Sequence, residues 1–137
     1  MIDRKGTIFQ LVNVDDVAYH AGKGKMPKHY DPSEREGING FSIGIELIAA
    51  EDAAVSQSSN LALGMDKQSG TRAVYTIPQY YAANYLLRYL TSKGYDLRHI
   101  VGHDEIAPDR KQDPGPNFAW DAVRKEDGSP AISSPPN

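Results

Sequence analysis

Apolar residues along this chain fall into short runs divided by turn formers. Residues 7–12, Thr-Ile-Phe-Gln-Leu-Val, are β-branched and aromatic and follow a Lys5-Gly6 turn signal, which predicts a first strand. Residues 42–48, Ser-Ile-Gly-Ile-Glu-Leu-Ile, give the clearest strand pattern. Ile43, Ile45 and Leu47 share one side of it, and Ser42, Gly44, Glu46 and Ile48 the other. Their near-continuous apolarity predicts an inner strand covered on both faces. The polar stretch 23–39, with Pro27 and Pro32, predicts a long surface loop. Residues 50–69 read as a loop with some helix.

The strongest helical signal is residues 77–93. Thr76 and Gln79 have capping-box spacing, Pro78 falls in the first turn where its missing N–H costs nothing, and Gly94 supplies the stop. Ala82, Tyr85, Leu86, Tyr89 and Leu90 are the expected apolar stripe. Residues 99–103 read as a short buried strand. Pro108, Pro114 and Pro116 then stiffen a loop, and 118–124 hold a last helical turn. Strands alternating with helix predict an α/β or α+β sheet domain. From residue 125 the chain turns to Gly, Ser and Pro with few apolar residues. The expected organisation is therefore one domain, 1–124, followed by a flexible Pro/Ser-rich tail, 125–137.

Composition narrows the function. The 137 residues carry 15 basic and 18 acidic side chains, net −3, which argues against a strongly basic nucleic-acid binder. No cysteine is present, so disulfide scaffolds, thiol nucleophiles and cysteine-ligated metals are excluded. No run of apolar residues is long enough for a membrane span, and the start, Met-Ile-Asp-Arg-Lys-Gly, has no apolar signal core, which favours a cytoplasmic location. Nothing in the sequence sets an oligomeric state.

Four residues carry candidate chemistry. Glu46 is a carboxylate inside an apolar strand pattern, so it either pairs with a basic residue or lines a cavity as a general base. His103 and Asp113 are donor types that zinc accepts, and the prolines between and around them stiffen the connecting loop. Lys111 lies two residues before Asp113, on the same side of an extended loop. A lone His–Asp pair ten residues apart is a weak metal signal, since more such pairs are structural than not, and the metal reading gains from the combination with Glu46 and Lys111.

Three segments together resemble one family: Ser42-Ile-Gly-Ile-Glu46-Leu, the helix from Gln79 to Leu90, and Ile100-Val-Gly-His-Asp-Glu-Ile-Ala-Pro-Asp-Arg-Lys-Gln-Asp-Pro-Gly-Pro116. They are similar to the zinc-dependent N-acetylmuramoyl-L-alanine amidases and the related peptidoglycan recognition proteins. Residues 2–11 and Ala18-Tyr-His-Ala-Gly22 extend the likeness, which covers roughly residues 2–120. The resemblance implies an α/β domain with a mixed central β-sheet flanked by helices. It further implies a Zn2+ cofactor held by His103 and Asp113, with Glu46 activating water and Lys111 stabilising the oxyanion. His20 would line the substrate groove. The implied substrate is peptidoglycan or a muropeptide, cut between the lactyl group of N-acetylmuramic acid and L-alanine.

The pattern departs from the family in two places. Asp109 stands where relatives often have Gly, and Asp tolerates positive φ better than most residues. The family's first zinc ligand, a histidine on an N-terminal strand, has no counterpart here. Three expectations follow: the start is internal to a longer enzyme; or His20, His29, His99, the Met1 amine or a second chain completes the site; or the chain is a non-catalytic peptidoglycan- or muropeptide-binding module.

Overall fold

The computed structural model describes residues 1–51 and 73–131. Two antiparallel strands, β1 (Ala50–Glu51) and β2 (Ala73–Val74), pair Ala50 with Val74 and Glu51 with Ala73. A long helix, α1 (Ile77–Ser92), follows, then a single-turn helix, α2 (His103–Ile106). Short 3-10 turns occupy Ile38–Gly40 and Trp120–Ala122. The loop-and-helix expectation for residues 50–69 falls mostly on residues outside those described.

α1 begins as its sequence predicts. The Thr76 hydroxyl accepts the Gln79 backbone N–H, and the Gln79 side-chain oxygen accepts the Thr76 N–H at 2.9 Å. Gln79 does more than cap. It is fully buried, and its amide donates to the carbonyl oxygens of Ile48, at 2.8 Å, and Ile2, at 3.4 Å. The Ile2 carbonyl also accepts the Ile48 N–H at 2.9 Å, so the amide's shorter bond serves the Ile48 carbonyl, and a polar residue is held in the core. This fixes the helix's rotation. Ala82, Ala83, Leu87 and Leu90 are buried with Gln79, while Tyr85 and Tyr89 of the expected stripe are 61% and 44% exposed.

The extended segments pair more briefly than expected. Ile2 bridges Leu47 in parallel and Ile8 in antiparallel sense, and each pairing stops there. Among the described residues the two-residue pair β1–β2 is therefore the only sheet. Residues 42–48 are extended, but Ile43 and Ile48 are 37% and 41% exposed and Glu46 is exposed, which corrects the inner-strand reading. Only Ile45 and Leu47 turn to the core, with Ile2, Leu87 and Val123.

A second apolar cluster, Ala21, Met26, Ile38, Ile106 and Ala107, lies under the functional residues. Met26 and Ile38 come from the stretch expected to be a surface loop. It folds back on itself through a Lys25–Glu36 bridge and is tied to α2 by the Lys25 N–H donating to the Ile106 carbonyl at 2.9 Å. Contacts also continue past residue 124: Ile100 N–H donates to Gly128 O at 2.7 Å and Ala131 N–H to Val123 O at 2.9 Å. No helix of the described residues is long and apolar enough to cross a membrane.

Candidate active site

His103 opens α2 rather than ending a strand. Gly102 precedes it with extended backbone, and the Glu105 carboxylate accepts the Gly102 N–H at 2.6 Å, closing the first turn. Glu105 is in turn held by Arg124, with contacts of 2.7 and 3.1 Å. Arg124 also donates to the Ile100 carbonyl at 2.8 Å and stacks on Trp120, 3.7 Å from the ring centre. The backbone of residue 103 is thus fixed by an ion pair that is itself largely enclosed.

Asp113 is brought to the same point by its own backbone. Its carbonyl accepts the Asp104 N–H at 2.9 Å, and the next carbonyl, of Pro114, accepts the Tyr75 hydroxyl at 2.8 Å. Burial, with the Asp113 charge next, pushes the Tyr75 phenol up to about 12, so it stays a donor across the physiological range. The result is a contact of 3.0 Å between His103 Nδ1 and Asp113 Oδ2. On the far side of the ring, Nε2 lies 2.9 Å from the Ala21 carbonyl oxygen.

This arrangement tests the donor set for a cation. Both ring nitrogens face acceptors, so a neutral ring satisfies only one of them. With the proton on Nε2 and pointed at Ala21, the Nδ1 lone pair and the Asp113 carboxylate face each other and can share a cation. Their separation approaches the edge of about 3.3 Å in a tetrahedron with bonds of about 2.0–2.1 Å. A ligating histidine that gives its other N–H to a backbone carbonyl is the usual outer-shell arrangement. The donors present therefore fit one edge of a zinc site. Among the described residues no group of three or more His, Asp or Glu is placed to hold a metal.

His20 is seated beside this pair. Asn39 Oδ1 accepts the backbone N–H groups of His20 and Ala21, at 3.2 and 2.9 Å. The Ser42 hydroxyl donates to the Ile38 carbonyl at 2.6 Å and so presents a lone pair to His20 Nε2, 3.1 Å away. Burial is the main cause that lowers the His20 pKa, followed by the nearby His103, with Glu46 acting the other way. Glu46 and His103 therefore both lie within electrostatic reach of His20. Ser42, Gly44 and Glu46, which share one side of their extended segment, all act on this one imidazole.

The remaining predicted residues are less engaged. Lys111 sits in a turn where its N–H and that of Arg110 both donate to the Ala107 carbonyl, at 2.9 Å each. Its ammonium makes no ion pair among the described residues. Of the other groups weighed as a third ligand, His29 and His99 pack their rings against Tyr30, and the Met1 amine donates to the Phe9 carbonyl at 2.8 Å. Sequence reasoning gives no site role to Asn39, Arg110 or Arg124, and reads Tyr75 as a packing or interface residue. Only the Arg124 ion pair had a local hint, since Gly102-His-Asp-Glu105 is a helix-start pattern that asks for a partner to its glutamate.

The profile of the family described as N-acetylmuramoyl-L-alanine amidase matches residues 1–116, and the chain belongs to that family. It is 35% identical over 125 residues to the 1,6-anhydro-N-acetylmuramyl-L-alanine amidase AmpD of Escherichia coli, covering 90% of this chain and 54% of that protein. It is 34% identical to the AmpD of Citrobacter freundii, covering 90% and 53%, and 31% identical to that of Haemophilus influenzae, covering 88% and 53%. The chain thus spans about half the length of the curated relatives it matches. No solved structure matches it.

Proposed function

We propose that this chain carries the catalytic core of a zinc amidase that hydrolyses the bond between the lactyl group of N-acetylmuramic acid and L-alanine in a muropeptide. The observation that carries the reading is the His103–Asp113 contact of 3.0 Å, with the far ring nitrogen anchored on Ala21. Relatives named as 1,6-anhydro-N-acetylmuramyl-L-alanine amidases support a soluble muropeptide as the substrate. The mixed central sheet of such a domain would be organised about Ile2, whose bridges run parallel on one side and antiparallel on the other.

His103 and Asp113 would hold the cation, which supplies Lewis acidity toward the amide carbonyl and the attacking water. The chain's own groups perform the rest. Glu46, exposed and near His20, takes a proton from the attacking water and returns it to the leaving nitrogen. Lys111, with no ion pair among the described residues, is available to the developing oxyanion, where one well-placed donor is worth about 3–4 kcal/mol. His20, kept neutral by burial, lines the groove as a hydrogen-bonding group.

A second reading has an observation of its own. A catalytic zinc normally has three protein ligands and an open position, and no third donor accompanies His103 and Asp113 among the described residues. That favours a module that binds muropeptide without cleaving it. Incubating the purified chain with zinc and muropeptide separates the two. Stoichiometric metal with released stem peptide supports the amidase. Muropeptide binding with neither metal nor product supports the module.

A further inference from the structure

We propose that Arg110 is a positioning residue for His103, acting through the carbonyl of Ala21. This inference rests on the reading of His103 as a metal ligand. One guanidinium nitrogen of Arg110, Nη2, donates to the Ala21 and Lys23 carbonyls, at 2.8 Å each. The Ala21 oxygen is the same atom that faces His103 Nε2 at 2.9 Å. A carbonyl oxygen has two lone pairs, and here each has a donor. The Arg110 bonds hold the acceptor still, and the still acceptor selects which ring nitrogen keeps its proton.

The turn between the two carbonyls is shaped for this. Gly22 has φ +65°, and a Cβ there would lie 2.9 Å from Arg110 Nη2, so glycine lets the guanidinium rest flat on the backbone. Asn39 holds the N–H side of the same turn, at His20 and Ala21. The two side chains grip the segment from opposite polarities, and the segment carries His20 on one side and the His103 acceptor on the other. Arg110 sits 89 residues from Ala21 in sequence, so the clamp closes the molecule around the site.

The test compares the intact chain with Arg110→Ala and Arg110→Lys. Loss of an outer-shell partner typically lowers metal affinity about 10–100-fold, and that is the loss expected in a zinc competition titration of Arg110→Ala. Lysine keeps the charge without the planar fork, so Arg110→Lys should recover part of it. The second readout needs no metal: in metal-free protein Asp113 draws the neutral His103 ring toward Nδ1–H while Ala21 favours Nε2–H, so the 15N ring shifts should report a share of Nε2–H in the parent and a smaller share in Arg110→Ala. A purely stabilising arginine would lower the unfolding midpoint and leave the tautomer unchanged. A folded Arg110→Ala with parental tautomer and zinc affinity overturns the proposal. If Arg110→Ala does not fold, the same two readings on Arg110→Lys decide it, parental values again overturning it. If the parent takes up no zinc, the metal reading fails while the tautomer comparison still decides this inference.

Discussion

The imidazole of His20 lies directly on Gly44, so closely that a Cβ at position 44 would be 2.5 Å from its Cγ. The contact is with the base of the ring, not with a flexible tip, so no small adjustment of the ring relieves it. Gly44→Ala should swing His20 off its seat and break its hydrogen bond with Ser42. The ring's pKa should then rise toward the ordinary histidine value as burial is lost. Losing one hydrogen bond of about 1–1.5 kcal/mol to substrate corresponds to a roughly tenfold weaker muropeptide affinity. Titration of the His20 ring by NMR, with a binding isotherm, checks both. An unchanged ring pKa in a folded Gly44→Ala would show that the seat is not needed.

The lowered His20 pKa also sets a slope in stability. The folded protein resists protonating this ring, whereas the unfolded chain takes the proton near pH 6.5. The unfolded state then binds more protons between the folded and unfolded values. Stability should be complete above about pH 6.5 and fall as the pH drops through the folded value. Urea midpoints collected across that window should show the slope in the parent and lose it in His20→Gln.

What the sequence disclosed follows from how local each signal was. Thr76, Pro78 and Gln79 act within one turn, so the start of the long helix was readable. Its buried face was not, because Gln79 is drawn inward by carbonyls of Ile2 and Ile48, 77 and 31 residues away. A period of apolar residues carries no trace of such a bond, and it misplaced Tyr85 and Tyr89. His103 and Asp113 meet across one helical turn and a proline-stiffened loop, and the prolines made that stiffness foreseeable. The expected strand at 99–103 instead ends in a helix start, because the Glu105 side chain caps Gly102. The grip of Arg110 on Ala21 has no local signature at all, being a side chain meeting the backbone of a distant turn. Glu46 was read as enclosed because its neighbours are apolar, yet only Ile45 and Leu47 face the core there.

The Glu105–Arg124 pair should matter more than a surface ion pair. Glu105 accepts from two arginine nitrogens and from the Gly102 N–H, and both side chains are largely covered. Removing one member leaves the other charge enclosed without its partner, which for such pairs costs several kcal/mol when fully buried. For this partly covered pair about 2–3 kcal/mol is expected of Glu105→Ala. Because Glu105 closes the turn that carries His103, zinc affinity should fall as well. Chemical denaturation and metal titration of the same variant check the two effects.

Asp104 should behave in the opposite way. One of its carboxylate oxygens is buried with no hydrogen-bond partner, and burial, reinforced by Glu105, raises its pKa. A carboxyl group whose folded value is raised loses stability as the pH climbs from the unfolded value through the folded one. At neutral pH the charged form is therefore a burden. Asp104→Asn, nearly the same shape without the charge, should unfold at a higher temperature than the parent at pH 7. The gap should narrow as the pH is lowered through the carboxylate range. A lower midpoint for Asp104→Asn at pH 7 would show that this carboxylate is stabilising, against the expectation.

Glu46 and His103 should separate chemistry from metal binding. Glu46 faces solvent and makes no ion pair among the described residues, so exchanging its carboxylate for an amide disturbs no packing. Glu46→Gln should keep the fold, zinc and muropeptide affinity of the parent. Turnover should fall by about 10²–10⁴, the usual worth of a positioned general base. His103→Ala should instead lose the metal, because it removes one of the two donors that face each other across 3.0 Å. Metal content by mass spectrometry and release of stem peptide, run on both variants, give a two-by-two result. Unchanged turnover in Glu46→Gln would remove that residue from the proton path, and stoichiometric zinc in His103→Ala would place the metal elsewhere.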